Sequence, residues 1–253
     1  MKLARHDLEA LLRARQLDRT VVAPASSQAQ AMPTTLGALN QRLGGGFPHG
    51  QLSEIVGARS SGRTGVLCAL LAAATRWGDL VALIDACDAF DPISASAAGI
   101  ELSRLLWIRG QDVSSIEATR AAGARLVQRA LKATSLVLQC GDFGVVALDC
   151  ADVPAMVMRR IPFTTWFRLQ RLIEGRRTVC VLVGTAPMAR GPAGLTLTLE
   201  STGSGGRWTG TDGCQRLAGL TSAARVTRSR AHAHASDLEL RLGPPASDGV
   251  DRA

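Results

Sequence analysis

Apolar positions along the chain follow three different rhythms. Between residues 4 and 17 they recur at helical spacing: Ala4, Leu8, Leu11 and Leu12 share a face, and Arg5, Glu9, Arg13 and Arg15 fall largely elsewhere. This predicts a short amphipathic helix over 1–18, with Leu8, Leu11 and Leu12 as its docking face, turned either to a partner or to the chain's own core. Val21–Met32 is polar with Pro, Ser and Gln, and reads as a linker over 19–32. From residue 33 short β-prone apolar runs alternate with helical segments. Strands are predicted at Leu52–Val56, Val81–Asp85, Ser103–Arg109, Val145–Asp149 and Val179–Thr185, and helices at 63–76, 114–137 and 163–174. Continuous apolar runs such as VALID suit strands covered on both faces. The alternation predicts an α/β fold, a mostly parallel sheet with helices on both faces. After Pro192 the rhythm changes again. Leu195–Glu200, Arg207–Gly210, Ser222–Arg228 and Leu238–Leu242 alternate between Gly-rich turns, which predicts an antiparallel β extension of the same sheet. The core is placed at 33–242 and a tail at 243–253.

Composition narrows the class. Of 253 residues 46% are hydrophobic and 20% charged, enough apolar material for a core and too much for wholesale disorder. The longest apolar run, Val66–Ala74, is about half of what a membrane helix needs, so no membrane role is expected. Lys2, Arg5, Asp7 and Glu9 do not make a secretory signal. Six cysteines at 68, 87, 140, 150, 180 and 214 form no C-x-x-C pair, which suits free thiols in a reducing cytosol and a cytoplasmic location. His232 and His234 lack an acidic or cysteine companion, so no metal centre is expected. Basic residues number 29 against 21 acidic, a net +8, and only Lys2 and Lys132 are lysines. Arginine favours bidentate contact with phosphate or carboxylate.

The sharpest local pattern is Gly57-Ala58-Arg59-Ser60-Ser61-Gly62-Arg63-Thr64, between a predicted strand and a predicted helix. It matches the phosphate loop G-x-x-x-x-G-K-[ST] except that Arg63 replaces the lysine. Glycines let backbone N–H groups wrap a phosphate, the helix N-terminus adds partial positive charge, and the hydroxyl of Thr64 suits Mg²⁺. Asp149, at the end of VVALD, is the candidate second acid for the Mg²⁺ shell. ATP and Mg²⁺ are therefore the cofactors to test. Arginines cluster at Arg159, Arg160, Arg168 and Arg171, with Phe163, Trp166 and Phe167 beside them, and again at Arg225, Arg228 and Arg230. Such a pattern suits single-stranded DNA, through phosphate contact and base stacking, and equally a solvated helix face with aromatics in the core.

At this point the chain resembles a known family. Residues 34–65, TTLGALNQRLGGGFPHGQLSEIVGARSSGRTG, look like the opening of a RecA-type recombinase core. Residues 82–101 resemble its next strand and D-P helix, VVALDC its second nucleotide motif, and residues 222–242 its closing hairpin. The resemblance implies a RecA-like phosphate-loop core, with Gly57, Ser60, Ser61, Gly62, Thr64, Asp91 and Asp149 retained. It also implies losses. Cys87 stands where the family has its catalytic glutamate, Ser94 where a tyrosine stacks on adenine, Thr185 where a glutamine senses the γ-phosphate, and Arg63 where the lysine grips phosphate. Arg228 and Arg230 align with basic residues that reach the neighbouring subunit's nucleotide. Such a core with impaired catalysis is similar to the ImuA family. That likeness implies a non-hydrolysing adaptor for error-prone translesion synthesis in the SOS response, whose partners would be RecA and/or a Y-family polymerase homologue and an error-prone replicative polymerase. The alternatives are a divergent DNA-dependent ATPase that binds single-stranded DNA and, third, an SOS cell-division inhibitor.

Overall fold

The computed structural model describes residues 31–111, 120–189, 191, 193–211, 213–229 and 237–243. An eight-stranded sheet forms its centre, built from β3 (Leu52–Gly57), β4 (Leu80–Asp85), β5 (Leu105–Arg109), β6 (Phe143–Asp149), β7 (Val179–Gly184), β8 (Ala193–Thr209), β9 (Arg216–Ser229) and β10 (Leu238–Leu242). Their spatial order is β10-β9-β8-β3-β7-β6-β4-β5. From β8 to β5 neighbours run parallel, whereas β9 and β10 join antiparallel. This is the α/β architecture with an antiparallel C-terminal extension that the alternation of patterns predicts.

The strands are apolar throughout because both faces are covered. Leu83, Val145 and Ala147 point into one core, with Leu70, Leu71 and Phe47. Their neighbours Ala82, Ile84, Val146 and Leu148 point into the other, with Leu138, Trp166 and Leu169. The first core is covered by α1 (Gly37–Arg42) and α2 (Arg63–Arg76). The second is covered by α4 (Arg120–Cys140), α5 (Ala155–Met158) and α6 (Phe163–Ile173), and the short α3 (Pro92–Ala97) follows β4. Helix α2 is buried nearly all round, and its alanines let the sheet approach closely. It ends where Gly78 adopts φ +91°.

Four local differences from the sequence pattern have physical reasons. Ser103 and Arg104 belong to a 3₁₀ turn (Leu102–Arg104), not to β5, because Arg104 reaches back to Gly78 O at 2.6 Å and to Glu101 at 3.2 Å. The segments Leu195–Glu200 and Arg207–Thr209 are one strand, with Gly210 left in the bend beyond it, since a register shift between Ser201 and Gly206 absorbs the intervening glycines. Helix α4 runs on to Cys140, and residues 114–119 of the predicted helix lie outside the described residues. Finally, β1 (Ala31–Met32) pairs antiparallel with β2 (Phe47–Pro48). Gly46 permits this pairing: a Cβ there would sit 2.1 Å from Met32 O.

Among the described residues no helix is long and apolar enough to cross a membrane. Cys87, Cys150 and Cys180 are buried, Cys68 is half-buried, and Cys140 and Cys214 are exposed; all six are free thiols.

Candidate nucleotide site and its surroundings

Strand β3 delivers the chain to the phosphate loop at Gly57. A Cβ on Gly57 would lie 2.3 Å from Ser61 Oγ and 2.5 Å from Leu199 O, so the loop folds tightly over its own start and over β8. Ser60 and Gly62 take positive φ, +59° and +94°, and Gly62 then opens α2. The C-terminal extension braces this turn from below. Ser222 Oγ donates to Ser61 O at 2.6 Å, and Leu242 packs on Gly62 and Gly65. Ser61 is buried and its Oγ has no hydrogen-bond partner.

Arg63 does not reach outward. Only 7% exposed, it turns its guanidinium back and donates from Nη1 to Gly57 O at 2.7 Å. Its positive charge also acts on Asp149. Thr64 is exposed on the next position of α2. Asp149 stands at the tip of β6, level with Asp85 at the tip of β4. Burial pushes the Asp149 carboxyl up to about 6. The Ala151 N–H, which Oδ1 accepts at 2.8 Å, opposes this, as does Arg63, while Asp85 and Asp152 add to the rise. Burial and Asp149 together push the Cys68 thiol up to about 11. The loop, Arg63, Thr64 and Asp149 are thus gathered at one end of the sheet. The oxygen donors of a hydrated Mg²⁺ are present in Thr64 and Asp149. Arg63 Nη1 is meanwhile engaged by the loop's own carbonyl, Gly57 O.

The turn after β4 is fixed by a carboxylate that sequence reasoning missed. Asp85, 2% exposed, accepts from Ala89 N (3.1 Å), Phe90 N (2.9 Å) and Trp107 Nε1 (3.3 Å). Phe90 meets Trp107 edge-on, and Arg109 lies 4.6 Å over the Trp107 ring while holding Asp88 through two 2.8 Å bonds. Cys87 is buried against the second core. Asp91 serves α3: its carboxylate accepts from Ile93 N (3.2 Å), Ser94 N (3.0 Å) and Ser94 Oγ. Ser94 is thereby spent on the cap, and Thr185 is exposed beyond β7.

A second missed carboxylate is Glu54, in mid-β3 and 1% exposed. It accepts from Met188 N (2.6 Å), Ala189 N (2.8 Å) and Thr196 Oγ1 (2.8 Å), which ties the segment after β7 to the sheet floor. An acid within or ending a largely apolar β-prone run was the available signal for both residues.

The arginine cluster divides. Arg159, Arg160, Arg168 and Arg171 are exposed. Phe163 and Phe167 are nearly half exposed and stack edge-on at 4.8 Å, with Phe163 lying over Gly191. Trp166, which the sequence grouped with them, is instead 2% exposed in the second core. Arg228 is exposed on β9, whereas Arg225 is occupied by Asp237 at 2.6 Å. Arg230, His232, His234 and the docking face Leu8, Leu11 and Leu12 lie outside the described residues. Among the described residues no group of three or more His, Cys, Asp or Glu could hold a metal ion.

The family described as the RecA N-terminal domain matches residues 17–150, just over half of the chain. The chain belongs to that family. Among curated RecA-family relatives, Protein RecA of Symbiobacterium thermophilum is 34% identical over 129 residues, covering 51% of this chain and 32% of that protein. Protein RecA of Chlorobium chlorochromatii is 30% identical over 164 residues, covering 63% and 45%. Protein RecA of Picosynechococcus is 38% identical over 82 residues, covering 32% and 24%. The RecA-family match thus spans less than half the length of these relatives. Among solved structures, the crystal structure of the RadB recombinase superposes with a TM-score of 0.57 at 16% identity, covering 81% of this chain and 93% of that one. That likeness establishes the fold of this RecA-family chain as RecA-like.

Proposed function

We propose that this RecA-family chain is a non-hydrolysing accessory protein of the DNA damage response, an ImuA-type adaptor for error-prone translesion synthesis. It engages RecA and/or a Y-family polymerase homologue and an error-prone replicative polymerase, and it works in the cytoplasm. The observation that carries the reading is Arg63, buried and held by Gly57 O in the loop that would have to grip a phosphate. Cys87 supports it, because a buried thiol cannot position an attacking water as a carboxylate does. Losing both the phosphate grip and the base removes electrostatic terms that phosphoryl transfer depends on, each worth orders of magnitude in rate. Gly57, Ser60, Ser61, Gly62, Thr64, Asp91 and Asp149 then serve as a scaffold, with ATP and Mg²⁺ bound weakly or not at all. The N-terminal face of Leu8, Leu11 and Leu12 docks on a partner as a helix in a groove.

The test separates binding from turnover. A fluorescent ATP analogue reports binding, and phosphate release is followed with and without single-stranded DNA. No turnover above buffer is expected in either case. DNA-stimulated hydrolysis that disappears in Asp149→Ala would replace this reading with the divergent ATPase. Co-sedimentation with RecA filaments, with and without residues 1–20, tests the adaptor role directly.

The exposed Phe163–Phe167 pair beside Arg159, Arg160, Arg168 and Arg171 favours a second activity of the same molecule, contact with single-stranded DNA. Its affinity would fall steeply with salt. No described feature favours the division-inhibitor alternative.

A further inference from the structure

Away from the phosphate loop, an apolar groove of about 260 Å³ runs between α4 and the turn that joins α5 to α6. Val127 and Leu131 form one wall; Met156, Val157, Ile161 and Pro162 form the other. The α4 residues that line it fall at 124, 127, 128 and 131, the spacing of one helical face. Met156 is 56% exposed at the opening.

Among the described residues of α4 and of 153–173, which form the walls, the charges have one sign. Arg160 lines it, and Arg125 and Lys132 each stand one position beyond the α4 lining residues Ala124 and Leu131. Arg168 lies one turn along α6 from the lining residue Thr165. All four are exposed. Neither residues 120–141 nor residues 153–173 contain an Asp or Glu, so both walls present cations alone.

We infer that this groove receives an acidic amphipathic helix from a partner protein. Its apolar side chains at helical spacing fill the groove, and its carboxylates meet Arg125, Lys132, Arg160 and Arg168. An acidic partner helix matches these cations better than residues 1–20 would, since these carry Lys2, Arg5, Arg13, Arg15 and Arg19 against Asp7, Glu9 and Asp18, a like net sign. Nucleic acid fits the walls less well than a helix does, because no aromatic ring lines the groove; Phe163 and Phe167 are not among its lining residues. The inference stands on the groove and its charges and holds whether or not the phosphate loop takes a nucleotide.

The experiment uses the full chain and three labelled synthetic 16-residue peptides. One places Leu at i, i+3, i+4 and i+7 with Glu elsewhere. The second replaces each Glu with Lys, and the third scrambles the first. Fluorescence anisotropy should show saturable binding of the acidic helix alone. Ala124→Trp, a substitution at an exposed position that fills the groove, should abolish it with the melting temperature retained. The surface change Arg168→Glu should weaken it by about tenfold. Equal binding of the acidic and basic peptides, or acidic binding unaffected by Ala124→Trp and Arg168→Glu, would overturn the inference. So would an oligo-dT strand whose binding is lost in Ala124→Trp while the acidic peptide binds no better than its scramble, since the groove would then belong to nucleic acid.

Discussion

Asp149 is expected to oppose folding at neutral pH, and its removal should make the protein more stable. Burial raises this carboxyl from an ordinary 3.8 to about 6, even with the Ala151 N–H and the Arg63 charge holding it down. A folded-state pKa above the unfolded one means that the folded protein binds the proton more tightly. Its contribution to stability is therefore complete below about pH 4 and is lost as pH rises through 6. A rise of about two units corresponds to about 3 kcal/mol between the protonated and ionised forms. Asp149→Asn keeps the shape and the acceptor for Ala151 N–H but carries no charge. At pH 7.5 the variant should exceed the parent by about 2–3 kcal/mol, or about 5–10 °C in Tm for a chain of this size. At pH 4 the two should coincide. Urea denaturation of both proteins from pH 4 to 7.5, in buffer without divalent cations, measures the difference. Stability curves that run parallel across that range would refute the claim that burial governs this carboxyl.

Three further outcomes follow from the site. Arg63→Ala should lower stability by about 1–3 kcal/mol in urea melts, because it deletes a buried charged hydrogen bond to Gly57 O. Glu54→Ala should cost about 2–5 kcal/mol by the same measurement, since it strands the Met188 and Ala189 N–H groups and Thr196 Oγ1, whereas Glu54→Gln, which keeps Oε1 for the two amides, should cost clearly less. Gly57→Ala should yield little soluble protein, because its methyl would meet Leu199 O at 2.5 Å and neither backbone can retreat without breaking the pairing of β3 with β8.

Much of this molecule was legible in its amino-acid order. Runs such as VALID and VVALD announce strands covered twice, and the glycines at 57 and 62 announce the loop between β3 and α2. What escaped was long-range partnership. Glu54 looks like one polar residue in LSEIV, yet its three donors come from residues 134 to 142 positions away. Trp166 sits amid arginines in sequence, but helix α6 turns it inward while Phe163 and Phe167 face out. Arg63 read only as the residue in the lysine's place, and only the closed loop reveals that its guanidinium ends on Gly57 O. The long β8–β9 hairpin read as separate strands because glycines suggest turns, and the bulge that accommodates them is a property of the pairing.

The bracing of the phosphate loop by Ser222 and Leu242 has a consequence for how the chain matures on the ribosome. The loop and helix α2 emerge early, but the side chains that seat them belong to β9 and β10, made more than 150 residues later. Until translation has passed Leu242, the apolar flank of α2 has no lid. Nascent chains are therefore vulnerable to proteases and chaperone capture until β10 has been made, and a stop codon placed before β10 should unseat the loop and α2 although it leaves both of them intact.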